Sequence, residues 1–168
     1  HDAGVTALDL ADGVMVVQTG PLDAAVHYSF DDADNPTINI AGDGKFKGVF
    51  RDGAAWDSNG KSGGAMSLPG GANARMEAGP INRAADWTFS TYFKELSPTG
   101  LASNWRTLTR GLAADHQLIV QNGGTNLGLY DNAGGKGFQG TGFNMDYTDY
   151  QDWHHIAGVG KDGQAHFY

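Results

Sequence analysis

Apolar and polar residues alternate with a period of two along most of this chain, in short runs broken by glycine and aspartate. Trp87, Phe89, Thr91 and Phe93 fall on one face of a predicted strand, with Thr88, Ser90, Tyr92 and Lys94 on the other. Residues 153–159 repeat the pattern: Trp153, His155, Ala157 and Val159 oppose His154, Ile156 and Gly158. Further strands are predicted over 25–30, 106–110, 116–121 and 126–130. Gly- or Asp-rich turns separate the later ones at hairpin spacing, at 111–115, 122–124 and 131–137. Lys161-Asp162-Gly163-Gln164 predicts a tight hairpin, because Asp-Gly tolerates the positive φ it needs, and 164–168 begins the return strand. Near the N-terminus, residues 13–18 form a short apolar strand candidate that Gly20-Pro21 ends, while 6–10 fit either a strand or a helical turn. No convincing helix lies between these strands, so the default is an all-β, two-sheet antiparallel sandwich with Trp87, Phe89 and Trp153 in its core.

Composition narrows the class. At 168 residues with 26 glycines, the chain suits one turn-rich β domain. The absence of cysteine excludes a disulfide framework and thiolate-held zinc or iron–sulfur sites. A net charge of -8 argues against nucleic acid or an anionic membrane as partner. No apolar run approaches the ~20 residues needed to span a bilayer. Of 19 acidic residues only Glu77 and Glu95 are glutamates. Aspartate favours turns and is also the usual oxygen donor for Ca²⁺, so the excess fits a turn set or a cation site.

The run Trp153-His154-His155-Ile156-Ala157-Gly158-Val159 resembles a signature of the laminin G-like jelly rolls, relatives of the concanavalin A-type lectins and pentraxins. Residues 25–31 are similar to that family's first strand, which often closes on Phe-Asp, and 39–49 to its Gly-rich turn. Residues 60–68 resemble its Gly-Lys-x-Gly-x-Ala strand, with Leu68 where Phe is common. The resemblance covers 25–168 and implies a jelly roll lacking its final strands, with 1–24 as an N-terminal extension carrying one strand. A start at His1 and an end at Tyr168 suggest part of a longer chain. An incomplete sheet has open edges, so self-association through them is also expected, with residues 14–17 forming a strand in a sandwich sheet of their own domain or of a neighbouring copy.

Candidate chemistry is sparse. Glycosidases on such folds need paired carboxylates, and neither Glu77 nor Glu95 has a second acid two or four residues away. The acidic run 146–152 reads as a solvated loop. His154 and His155 point to opposite faces of their strand and cannot easily share one ion. The segment 87–120 is similar to a pentraxin segment ending in a calcium-binding Asp-Asn pair, which implies Ca²⁺ as cofactor with Asp115 as ligand, although His116 replaces the Asn. For sugar, Trp105 offers a stacking face with Asn104 and Arg106 beside it, or else caps the core at a strand start.

The expected function is a non-catalytic recognition module, secreted or on a cell surface, that binds glycan or an extracellular protein. The alternatives are a structural subunit of an extracellular filament with strands exchanged between copies, and an accessory domain of a larger carbohydrate-active enzyme.

Overall fold

In a computed structural model the described residues are 5–10, 13–18, 26–41, 44–69, 73–79, 81, 86–96, 105–111, 113–145 and 151–168. The regular elements among them are all strands: β1 (Val5–Leu10), β2 (Gly13–Gln18), β3 (Val49–Arg51), β4 (Ala55–Asp57), β5 (Ala65–Ser67), β6 (Arg75–Glu77), β7 (Trp87–Phe93), β8 (Arg106–Thr107), β9 (His116–Val120), β10 (Asn126–Asp131), β11 (Gly137–Asn144), β12 (His154–Lys161) and β13 (Gln164–Phe167). Every pairing is antiparallel. The protein is therefore all-β. The chain divides into two compact units, His1–Ile81 and Asn82–Tyr168.

Among the described residues the first unit holds three two-stranded sheets, β1–β2, β3–β6 and β4–β5. The apolar segment at 14–17 is a strand, but its partner is β1, next to it in sequence, rather than a strand of a larger sheet. Hairpin closure between sequence neighbours costs little chain entropy, which favours this pairing over a distant one. The strand expected at 25–30 is also replaced: no ladder forms over 26–30, and Phe30 takes a φ of 63° that an extended strand excludes. Its carbonyl instead accepts the indole N–H of Trp56 at 2.8 Å. Gly64 lies against that carbonyl and that indole, where a Cβ would collide with both. Asn39, nearly fully buried, accepts from the main-chain N–H of His27 (2.7 Å) and Ala41 (3.1 Å) and donates to the Lys45 carbonyl (2.6 Å). Tyr28 donates its hydroxyl to the Phe46 carbonyl, and partial burial raises its pKa.

Among the described residues the second unit has two sheets, ordered β11-β10-β9-β8 and β13-β12-β7. They share one apolar cluster. Leu118 and Val120 of β9 and Leu127 of β10 meet Ile156 of β12, with Phe89, Phe93, Leu96, Leu108, Met145 and Phe167 packed around them. The alternation read in β7 holds, with Trp87, Phe89, Thr91 and Phe93 more buried than the residues between them. Trp87 is half-buried over Gly158 and Gly160, its indole occupying the space a side chain at 160 would need. Trp153 departs from expectation. It precedes β12, is half-buried and lies outside the core cluster, with the Lys94 ammonium 5.4 Å from its ring centre. On β12 the inward positions are Ile156, Gly158 and Gly160, so Trp153 falls in the opposite phase. His154 tilts against Phe93 at 5.7 Å, while exposed His155 places Nε2 2.8 Å from Ser90 Oγ and its ring against Tyr92 at 4.8 Å.

Turns and strand ends follow local chemistry. Lys161 faces Gln164 across a two-residue loop in which Asp162 (φ 50°) and Gly163 (φ 75°) are both left-handed, as a type I′ hairpin requires. β8 stops after Thr107 because Thr109 Oγ1 accepts the main-chain N–H of Gln117 and Leu118, each at 3.0 Å, taking donors that a longer ladder would use.

Emptying the Leu118 site should cost about 2–5 kcal/mol, the usual range for a buried Leu→Ala. Trp153→Ala should cost less than Leu118→Ala. Urea unfolding of the two variants gives the order directly, and the reverse order would place Trp153 in the core after all.

On the β3–β6 sheet, Glu77 accepts from Arg51 Nε (3.0 Å) and from Arg75 Nε (2.9 Å), and Arg75 also pairs with Asp52. The Arg51 hydrogen bond, then the Arg75 one, hold the Glu77 carboxyl below its ordinary 4.5. A depressed carboxyl stabilises the fold above its unfolded pKa and loses that contribution as pH falls through the folded value. Both partners are exposed, so the effect is small. Glu77→Gln should therefore lower the melting temperature slightly at neutral pH and make no difference well below pH 4.5.

Candidate functional site

The outward face of β10 and β11 collects the side chains best suited to recognition. In β10 the core residue Leu127 alternates with Asn126, Gly128 and Tyr130, which therefore face away from the core. Register places Tyr130 opposite Phe138 and Gly128 opposite Gly140 on β11. The Phe138 ring spans both glycines: a Cβ at Gly128 would fall 2.8 Å from it, and one at Gly140 3.1 Å. Glycine at these two positions lets the ring lie flat against the sheet.

Trp105 completes the cluster. Its ring meets Tyr130 edge-on at 5.2 Å and Phe138 at 5.4 Å, and Trp105 remains 40% exposed. His116 stands edge-on to Tyr130 at 6.4 Å, with Nδ1 2.6 Å from the Thr109 carbonyl. At the other end of the same face Asn126 lies opposite Asn144. The Asn126 amide reaches Asn144 Oδ1 at 3.4 Å, or, rotated, bonds the Leu127 carbonyl (3.2 Å) and Gly142 N–H (3.3 Å). Either orientation leaves amide donors and acceptors to spare. Three aromatic rings and a pair of amides thus share one face of a sheet.

Of the residues singled out in sequence, Trp105 lies in this cluster and Asn104 lies outside the described residues. Arg106 does not join Trp105. It is 7% exposed, and its Nη2 donates to the Gln121 carbonyl (3.3 Å) and to the Gly124 carbonyl. Adjacent strand residues point to opposite faces, so the guanidinium that follows an outward Trp105 turns inward and fastens the 121–124 turn. Tyr130, Phe138, Asn126 and Asn144 were missed. The alternation in Asn126-Leu127-Gly128-Leu129-Tyr130 and the Phe138-x-Gly140 spacing carried the signal for them.

Asp115 serves a turn. Its Oδ1 accepts the N–H groups of Asn132 (2.7 Å) and Ala133 (2.9 Å), and Asn132 donates its amide to the Ala114 carbonyl. Asp131 similarly takes the Gly134 N–H at 2.5 Å. Ca²⁺ requires about 6–8 oxygens. Among the described residues no group of three or more His, Asp or Glu side chains is arranged to hold a metal, and the Asp115 Oδ1 is already engaged by two main-chain donors.

Residues 60–64, Gly-Lys-Ser-Gly-Gly, match the letter of the Gly-x-Ser-x-Gly nucleophile elbow. That elbow is a strand-to-helix turn. Here the segment joins β4 to β5 within a two-stranded antiparallel sheet, and Gly60 N–H bonds the Gly63 carbonyl at 2.8 Å, so it is a hairpin loop.

No protein-family model, curated protein or solved structure matches this chain.

If Asp115 is a turn acceptor, Asp115→Ala should speed hydrogen exchange at Asn132 and Ala133, and excess chelator should leave the wild-type melting temperature unchanged. A melt lowered by chelation would put a cation at Asp115, because a ligand that binds only the native state stabilises it by mass action.

Proposed function

We propose that this chain is a non-catalytic, extracellular recognition module that binds glycan on the outward face of β10 and β11. The observation that carries this reading is the partly exposed Trp105 ring braced by Tyr130 and Phe138. An indole held by two other rings loses little freedom when a pyranose stacks on it, so most of the stacking is kept as binding. Asn126 and Asn144 supply the amide hydrogen bonds that sugar hydroxyls need on the same face. Recognition falls to neutral groups there, which suits an uncharged ligand.

The likeness of 153–159 and 87–120 to laminin G-like jelly rolls supports the same reading, and an all-β unit with two antiparallel sheets over one apolar cluster is compatible with that architecture. The jelly-roll connection is part of the proposal. Placement outside the cell rests on that likeness. Arg106 has no share in the ligand, since its charge is committed to the 121–124 turn.

Trp105→Ala should abolish retention on a glycan array while lowering the melting temperature by only a few degrees. Asn126→Ala should weaken retention without abolishing it. Undiminished retention by Trp105→Ala would refute the site, and no retention of the wild type on any glycan would refute the ligand class.

A further inference from the structure

β11 is the outer strand of its sheet, and among the described residues no strand pairs with its far side. At eight residues it is long for an edge. Its sequence, Gly-Phe-Gln-Gly-Thr-Gly-Phe-Asn, contains no charge and no proline. Those are the devices by which natural edges repel other strands. Exposure runs along it from Gln139 to Asn144, and Phe143 is 61% exposed. One protective feature is present: the register with β10 shifts between Gly128 and Asn126, and Gly142 there has a φ of 81°. Between the bulge and Gly137, whose φ of 67° turns the chain, Phe138–Gly140 stay in continuous register with β10 as the extended part of the edge.

Along that extended part the edge already bonds a substitute. The Gln139 side-chain amide donates to the Lys136 carbonyl at 3.0 Å and to the Phe138 carbonyl at 3.3 Å. A side chain thus stands where the main-chain N–H of a neighbouring strand would otherwise donate.

We propose that β11 is a self-association edge, and that its occupant is β11 of a second copy of this chain, paired antiparallel about a two-fold axis. Self-complementarity favours a second copy, because an uncharged strand meets its own image with no like charges opposed. The chain carries -8 overall, so most of its surface repels a copy of itself. β11 is a stretch where identical strands set no charge against its like. Two-fold pairing forms each main-chain hydrogen bond twice and needs no second recognition surface.

Sedimentation of the wild type over rising concentration should show a reversible shift from 17.7 kDa to twice that mass. Added salt should tighten the dimer, because it screens the net repulsion while leaving main-chain bonds in place. Gln139→Lys should weaken it severalfold by setting like charges across the axis. In the wild type, hydrogen exchange should slow at β11 amides as the dimer fills, a readout that holds even if the variant folds poorly. Trp105→Ala should leave the dimer intact, so this inference and the glycan reading fail separately. A monomer at every concentration, a dimer indifferent to Gln139→Lys, or protection gained elsewhere and not on β11 would each overturn it.

Discussion

The second unit depends on how closely β12 lets its neighbours approach. Gly158 and Gly160 occupy inward positions where a strand would normally project side chains, and the Trp87 indole fills the vacated space. Leu118 and Phe167 crowd the same spot, with atoms 3.3 and 3.4 Å from where a Cβ at Gly158 would be. One large aromatic on β7 thereby does the filling that two smaller residues on β12 would otherwise do. Ile156, one step further along, then meets Leu118, Val120 and Leu127 from the opposite sheet. Interiors packed to near-crystalline density tolerate little change in volume, so this exchange sets the position of both sheets.

The outward faces are organised by the same device in reverse. Phe138 lies over Gly128 and Gly140 as Trp87 lies over Gly158 and Gly160, except that here the ring faces away from the core. It becomes the floor against which Trp105 and Tyr130 rest. Arg106 matters at one remove: by tying the 121–124 turn it fixes the strand end from which Trp105 departs. Binding chemistry and folding chemistry are thus divided between adjacent residues of one short segment.

Where a residue's role depends on its own strand, the sequence was readable. The alternation of Trp87, Phe89 and Phe93 and the Asp162-Gly163 turn could both be read directly, since each is a local preference of a few residues. Phe30 was misleading because its left-handed φ is imposed by contacts with Trp56, 26 residues away. β11 escaped notice because glycine, glutamine and asparagine have little strand propensity, and only pairing with β10 makes it a strand. The aromatic cluster was half legible. Trp105 stood out alone, but Tyr130 and Phe138 join it only through a cross-strand register that no single segment encodes. Trp153 misled through phase: the inward face of β12 starts one residue later.

The early end of β8 has a consequence for how many partners its sheet can take. Among the described residues one margin is an uncharged strand of eight residues, and the other is only two residues long, because Thr109 Oγ1 takes the β9 N–H groups of Gln117 and Leu118. A sheet with two long margins is bivalent and can propagate into a fibre, since each added copy exposes a fresh end. A sheet with one is monovalent, and its growth stops at the first union. Should β11 pair with its own copy as proposed, the short β8 would hold the union at two chains, and lengthening β8 would open the sheet to further growth.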